Sequence, residues 1–226
     1  MTEYDSTIAI DGPGAVGKTT VGGILAERIG FLFLDTGVMY RAVTAAAIRM
    51  GVDTRNESAV SDLANSMEIR ITGGPGPGSQ RVVVDGRDMT DDLRTRAVDG
   101  RVSMVSSYPG VREAMVEQQR RLASDGKVVM VGRDIGTIVL PDARLKVFLT
   151  ASVEERAKRR HKELRESGSE ESLETVLRGL DRRDKTDSER AHSPLIPAQD
   201  SILLDTSHVS APEVVDRIVE LWRTLN

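Results

Sequence analysis

The sequence predicts an α/β protein built on a five-stranded parallel sheet with helices on both faces, and three observations lead there. Five short apolar runs, at 7–10, 31–34, 128–131, 145–149 and 202–204, have the length and branching of buried strands. Helical patterns separate most of them, and strands joined by helical crossovers run parallel. Between the first run and the first helical pattern stands Gly12-Pro13-Gly14-Ala15-Val16-Gly17-Lys18-Thr19, which fits GxxxxGK followed by Ser or Thr.

The first unit is therefore a strand, a phosphate-binding loop and a helix. Thr7-Ile8-Ala9-Ile10 enters the loop, and Val21, Ile24, Leu25 and Ile29 recur at helical spacing until Gly30. Gly12, Gly14 and Gly17 let backbone N–H groups turn inward around phosphate oxygens. Lys18 brings a mobile charge to the terminal phosphates, and the Thr19 hydroxyl can ligate Mg²⁺. The expected ligand is a nucleoside triphosphate. Gly22-Gly23 lowers helix propensity inside this helix, which points to close packing against a neighbour.

The second run leads into Leu34-Asp35-Thr36-Gly37, and Met39-Tyr40-Arg41 opens the next helix. Ligands of open parallel sheets sit at the carboxyl ends of the strands. Arg41 is thus either a surface charge or a clamp on a second phosphorylated ligand. The region 51–100 breaks the rhythm. Residues 67–71 and 81–84 read as an antiparallel hairpin joined through Gly73-Gly74-Pro75-Gly76-Pro77-Gly78, and Asp85-Gly86 turns toward a third short strand at 87–89. This segment is expected to be a small α+β insertion in one main domain spanning 1–226.

After the third core run, Gly132-Arg133-Asp134 falls at the ligand edge of the sheet, as an ion pair that is either structural or functional. Two arginine-rich helical stretches follow, at 154–160 and 181–190, with Ser167-Gly168-Ser169 between them; 154–170 reads as a small hinged lid. Glu154–Lys158 and Glu155–Arg159 have the i,i+4 spacing of a solvated helix, which leaves Arg156 and Arg160 unpaired by spacing. Guanidinium forks of this kind stabilise a phosphoryl group in transfer, and a lid keeps water away from it. Asp184-Lys185-Thr186-Asp187 partly matches the guanine-reading NKxD pattern, but it lies in a charged helical stretch and not at a strand end. The last helix starts near Pro212, with Val214, Val215, Ile218, Val219, Leu221 and Trp222 on one face.

Composition narrows the class. The chain has no cysteine, which excludes disulfides and thiolate chemistry and fits a reducing cytoplasm. The start lacks a basic segment and a long apolar one, so no signal peptide is expected, and no apolar run approaches membrane-spanning length. A net charge of −4, with three Tyr, three Phe and one Trp, disfavours nucleic-acid binding. His161, His192 and His208 show no metal-ligand spacing. A monomer is the default expectation.

Together these motifs resemble bacterial cytidylate kinases, a family of nucleoside monophosphate kinases with the P-loop kinase fold. The residues that carry the resemblance are IDGPGAVGKTT at 10–20, LDTGVMYRA at 34–42, YPGVRE at 108–113, GRDIGT at 132–137, PDARLKVFL at 141–149, ERAKRR at 155–160 and RDKTDSER at 183–190. The resemblance implies transfer of the γ-phosphoryl group of ATP, with Mg²⁺, to CMP or dCMP. It implies that Gly12, Pro13, Gly14, Ala15, Val16, Gly17, Lys18, Thr19 and Thr20 hold the ATP phosphates, with Thr19 at the metal. Arg41, Arg133 and Arg190 would clamp the acceptor phosphate, near Thr36 and Tyr40. Asp134 and Arg112 would read the cytosine edge, and Ser103, Arg183 and Asp187 would hold the sugar or assist at the base. Arg156 and Arg160 would act from the lid, and the 51–100 insertion would belong to the monophosphate-binding part. Two positions depart from many relatives: Gly14 replaces Ser, and Thr36 stands where Ser is common.

Overall fold

The computed structural model describes residues 6–73, 80–124, 126–166 and 168–225. β1 (Thr7–Asp11) runs into the glycine-rich loop and α1 (Lys18–Ile29), and β2 (Leu32–Asp35) leads to α2 (Gly37–Arg49). The next stretch holds α3 (Glu57–Ser66), β3 (Ile69–Gly73), β4 (Gln80–Val84), β5 (Arg87–Asp88), a 3₁₀ turn and two one-turn helices, α4 (Arg96–Asp99) and α5 (Val102–Val105). α6 (Pro109–Ala123) returns the chain to β6 (Val128–Gly132), a π turn at Ile135–Val139, and β7 (Leu145–Thr150). α7 (Val153–Glu166) and α8 (Leu173–Ser188) then precede β8 (Ile202–Asp205) and α9 (Ala211–Thr224).

The sheet order is β2-β6-β1-β7-β8, with every pairing parallel. Each of the five apolar runs is one of these strands. β1 and β6 are buried along their whole length, as central strands covered on both faces must be. On one face Ile8, Ile10, Val129, Val131 and Leu149 pack with Leu25 of α1 and Val215 and Ile218 of α9. On the other, Ala9, Leu34 and Met130 meet Ala123 of α6 and Ile135, Val139 and Leu140 beyond β6. The strand order brings the carboxyl ends of β2, β6 and β1 side by side, so the turns after them share one edge.

Gly22 packs as its sequence context implied. A Cβ there would lie 2.5 Å from Val131 Cγ1 and 2.8 Å from Phe33 Cε2. α1 thus approaches β6 and β2 more closely than any side-chain-bearing residue permits. α9 begins with a capping box between Ser210 and Glu213, and Trp222 packs edge-on against Phe31 at 5.6 Å between ring centroids.

The segment 51–100 is α+β. β3 and β4 pair antiparallel from Ile69–Val84 to Gly73–Gln80, and Asp85 (φ 48°) and Gly86 (φ 80°) make the tight turn to β5. Most of the Gly/Pro run, 74–79, lies outside the described residues. The insertion shares a second core with α2 and α6, where Val60, Val82, Val84, Leu93 and Val102 meet Met39, Val43 and Met115.

α7 and α8 form a helical hairpin with a small apolar seam of Ala157, Val176 and Leu180, completed by Ala15 of the glycine-rich loop. Of the expected hinge, Ser167 lies outside the described residues; Gly168 turns the chain at φ 82°. The i,i+4 pairing expected on α7 gives way to other partners. Glu155 takes Lys158, one residue nearer, at 2.6 Å, which leaves Arg159 free to face inward.

Candidate active site

The glycine-rich loop closes over the end of β1. Gly12 is held at φ 148°, and a Cβ there would lie 2.4 Å from the Leu149 carbonyl oxygen, so no other residue fits. Ala15 also has a left-handed backbone, φ 58°, and its side chain packs against the α7–α8 seam. The Val16 side chain belongs to the core, and only its backbone lies along the loop. Lys18 Nζ donates to the carbonyls of Gly12 and Pro13, both at 2.7 Å. Burial, with Arg133 nearby, holds the Lys18 ammonium well below the usual lysine range. An arriving polyphosphate would relieve both effects. Thr20 is exposed on the first turn of α1.

Two oxygens suited to a hard cation meet beside the loop. Thr19 Oγ1 donates to Asp35 Oδ2 at 2.7 Å, and Asp35 Oδ1 accepts from Gly37 N at 2.9 Å. A hydroxyl and a carboxylate at a phosphate site are the donors that Mg²⁺ takes, with water and phosphate filling its other positions. The residues therefore fit the metal, and Asp35 joins Thr19 as a candidate. Among the described residues, no group of three or more His, Cys, Asp or Glu is arranged to hold a metal by itself.

A second cluster lies beyond the loop, at the end of β6. Arg133 donates from Nη1 to Gly12 O at 3.0 Å and from Nε to Asp187 Oδ2 at 2.9 Å. Asp187, on α8, also faces Arg183 and Arg190, each at 3.9 Å. Burial pushes the Asp187 carboxyl up, but these three arginines outweigh it and hold it below its usual range. Burial and the neighbouring Arg133 lower the Arg183 guanidinium to about 10, still charged at neutral pH. Three cations around one carboxylate leave a surplus of positive charge, as an anionic ligand requires. This geometry also fixes the place of the DKTD stretch: Asp187 faces arginines from within α8, away from any strand end.

Asp134 is buried, and its carboxylate pairs with the buried guanidinium of Arg112 on α6. Arg112 also donates to Ser106 O at 3.0 Å and lies over the Tyr40 ring, Cζ 5.2 Å from the centroid. Burial, with the Asp134 carboxylate adding to it and the Arg112 charge opposing, pushes the Tyr40 hydroxyl up to about 12, so it stays a donor. Thr36 is buried, and its Oγ1 donates to Val131 O at 3.0 Å. The sequence-predicted Thr36, Tyr40, Arg112, Arg133, Asp134, Arg183, Asp187 and Arg190 thus converge.

Three other predicted residues take partners outside that group. Arg41 donates to Leu93 O at 2.9 Å and pairs with Asp99 at 2.7 Å, so it is held by the insertion. Ser103 lies on α5, where its backbone oxygen accepts from Ser106 Oγ. Arg160 pairs with Glu163 at 3.2 Å on the outer face of α7, because Glu163 lies within its reach one turn on. Arg156, by contrast, is buried. It donates from Nη1 to Gly14 O at 3.1 Å and to Asp184 Oδ2 at 2.5 Å.

Sequence reasoning passed over several residues that hold the site. Asp184 joins Arg156 to the loop, its Oδ1 3.4 Å from Gly14 N. Arg159 reaches the Thr206 hydroxyl at 3.1 Å and the Thr206 backbone oxygen, joining α7 to the turn after β8. Asp11 accepts two backbone hydrogen bonds from beyond β6. Asp11, Asp35 and Asp184 stand directly beside the predicted Gly12, Thr36 and Arg183.

The chain matches the family model described as cytidylate kinase over residues 8–224. It is 49% identical over 215 residues to a cytidylate kinase of Desulfitobacterium hafniense (strain Y51), covering 95% of this chain and 91% of the relative. It is 47% identical to one of Bacillus velezensis, covering 95% of both chains. The fold is also similar to a shikimate kinase from Bacteroides thetaiotaomicron (TM-score 0.50, 13% identity, 96% of this chain and 98% of that one). An uncharacterised protein from Eubacterium ventriosum gives a TM-score of 0.55 at 15% identity, over 97% of this chain and 99% of that one.

Proposed function

The chain belongs to the cytidylate kinase family, and from that membership we propose how its residues transfer the γ-phosphoryl group of ATP to CMP or dCMP, giving CDP or dCDP and ADP. The observation that carries the residue assignment is the buried Arg112–Asp134 pair, set one strand away from a phosphate-binding loop. Cytosine offers an exocyclic amino donor where uracil offers a carbonyl acceptor. The Asp134 carboxylate accepts from that amine and repels uracil's oxygen. Arg112 then donates to the acceptor atoms on the same edge of the base. A polar site of this kind rejects the wrong base through unpaired buried groups, which shape alone does not achieve.

The reacting phosphates need positioning and neutralisation more than proton transfer. The acceptor phosphate has its second pKa near ~6, so its oxygens are anionic at neutral pH without a general base. Arg133 and Arg190 hold those oxygens, with Arg41 entering from the insertion side. The loop N–H groups and Lys18 hold the donor phosphates, and Arg156 reaches the same loop from the lid. Mg²⁺, held by Thr19 and by Asp35 directly or through water, would neutralise charge on the donor phosphates. In-line placement and fixed positive charge then supply the catalysis. The lid hairpin excludes competing water. In this reading the enzyme acts as a monomer in the cytoplasm, where its nucleotide substrates are used.

The experiment is a coupled assay of ADP formation from Mg-ATP with CMP, dCMP, UMP, AMP, GMP or no acceptor, with a Lys18→Ala protein as control. Strong turnover with CMP and dCMP, weak turnover with UMP and loss in the control support the assignment. Equal turnover of CMP and UMP would remove Asp134 and Arg112 from base recognition.

A further inference from the structure

Asp11 ends β1 immediately before the loop's first glycine and lies opposite Gly132 in the β1–β6 register. It is 4% exposed. Its Oδ1 accepts from Ile135 N and its Oδ2 from Gly136 N, both at 2.8 Å. These are the two residues that follow Asp134. The Asp134 carbonyl in turn accepts from Ile138 N at 2.9 Å and Val139 N at 3.2 Å, closing the π turn. The backbone that carries the base-reading carboxylate is therefore gripped from both sides, and one grip comes from the strand that feeds the phosphate loop.

The grip depends on the chemistry of a carboxylate. Ionised, it only accepts and can satisfy two N–H groups at once. An amide of the same shape accepts one and turns its own NH₂ against the other. Keeping a buried carboxylate at this place is costly, since burial pushes it up to about 6 with Asp134 adding to the rise. The two backbone hydrogen bonds work against that rise, so the carboxylate and the turn stabilise each other.

We propose that Asp11 is a positioning residue for base recognition, its carboxylate fixing the turn that aims Asp134 at the acceptor's base. The inference rests on the reading of Asp134 as the base reader. It also links base selection to the phosphate loop through two hydrogen bonds and one peptide bond, because Asp11 and Gly12 are adjacent.

Asp11→Asn and Asp134→Asn, compared with the parent, separate the two ideas. KM and kcat are measured for CMP and UMP at saturating ATP, and for ATP at saturating CMP. With Asp11→Asn we expect KM for CMP to rise about tenfold and the CMP-over-UMP ratio of kcat/KM to fall by a similar factor. KM for ATP should stay within about threefold, since the loop's own N–H groups are untouched. A merely structural role would instead weaken ATP and CMP alike and leave the CMP-over-UMP ratio unchanged, and either result overturns the proposal. If Asp134→Asn alone collapses the ratio, Asp11 is wrong and the base reader stands. If neither variant changes it, the base-reader assignment falls first. Should Asp11→Asn fail to fold, amide exchange in the parent decides. Ile135 and Gly136 N–H groups should be protected without ligand and slow further with cytidine, and fast exchange in both states sinks the idea.

Discussion

Arg133 Nε donates to Asp187 Oδ2 across 2.9 Å, tying the end of β6 to α8 while Arg133 Nη1 holds the Gly12 carbonyl. One guanidinium thus contacts both the glycine-rich loop and α8, and in the proposed reading it meets the acceptor phosphate as well. Any ligand that draws Arg133 away must loosen Asp187 from it.

Asp187→Asn should destabilise the ligand-free protein by about 1–3 kcal/mol, because Arg133, Arg183 and Arg190 then face one another without their shared carboxylate. Its carboxyl lies below the usual range in the fold. Its stabilisation is therefore present above the unfolded pKa and is lost as pH falls through the folded one. Saturating CMP should recover more Tm in the variant than in the parent, since phosphate supplies the missing negative charge. Equal recovery in both would show that the arginines do not meet the acceptor.

Arg156→Ala should lower kcat by about 10²–10³-fold with KM for CMP nearly unchanged. Its guanidinium meets the Gly14 carbonyl and Asp184 and, among the described residues, hydrogen-bonds neither Arg112 nor Asp134. Arg160→Ala, which removes only an outer pair with Glu163, should stay within about threefold of the parent. Steady-state kinetics of the two variants side by side would reverse the assignment if Arg160 proved the costlier loss.

Gly22→Ala gains helix propensity of about 1 kcal/mol, yet its methyl would sit 2.5 Å from Val131 and 2.8 Å from Phe33. The clash should win by about 1–3 kcal/mol, seen as a lower urea midpoint at unchanged slope. A midpoint equal to or above the parent's would mean that α1 can lift from the sheet without penalty.

Asp11 carries an acid-side signature. Its carboxyl is raised from 3.8 to about 6 by burial, so between those values the folded protein holds a proton that the unfolded chain has lost. The sign follows: the ionisation cost is fully present at neutral pH and is relieved as pH falls. Relative to Asp11→Asn, the parent should gain stability on the order of 3 kcal/mol between pH 7 and pH 4. Urea unfolding of both proteins across that range checks it, and a flat difference would refute it.

Thr36→Ser should change CMP kinetics by less than about threefold, because either hydroxyl can donate to the Val131 carbonyl as Thr36 does at 3.0 Å. Thr36→Val removes the donor and should raise KM for CMP further. Parallel kinetics of the three forms decide whether the hydroxyl or the methyl matters.

The strands, the phosphate loop and the turn at Asp85-Gly86 were legible because each is a local pattern: an apolar run, a glycine spacing, a turn dipeptide. The convergence of Thr36, Arg133 and Asp134 followed from the rule that ligands gather at strand ends. What could not be read was partner choice. Spacing on α7 offered Glu155 to Arg159, but side-chain reach gave Glu155 to Lys158 and turned Arg159 toward Thr206. Arg41 was equally ambiguous, since its tie to Asp99 joins residues 58 positions apart. Asp11 escaped notice because its role lies in backbone N–H groups on another strand, and no side-chain motif records those.

The seam between α7 and α8 has a bearing on the rate of the enzyme's cycle. Among the described residues, Ala157, Val176 and Leu180 are the buried members there, and Ala15 of the loop shares the contact. Parting the hairpin from the loop would uncover apolar surface worth at most on the order of 5 kcal/mol, far less than melting the sheet beneath it. Lid openings in proteins fall on the microsecond-to-second scale. Product escape could then set the turnover clock, and one methyl more or less in that seam would retime it without touching a phosphate.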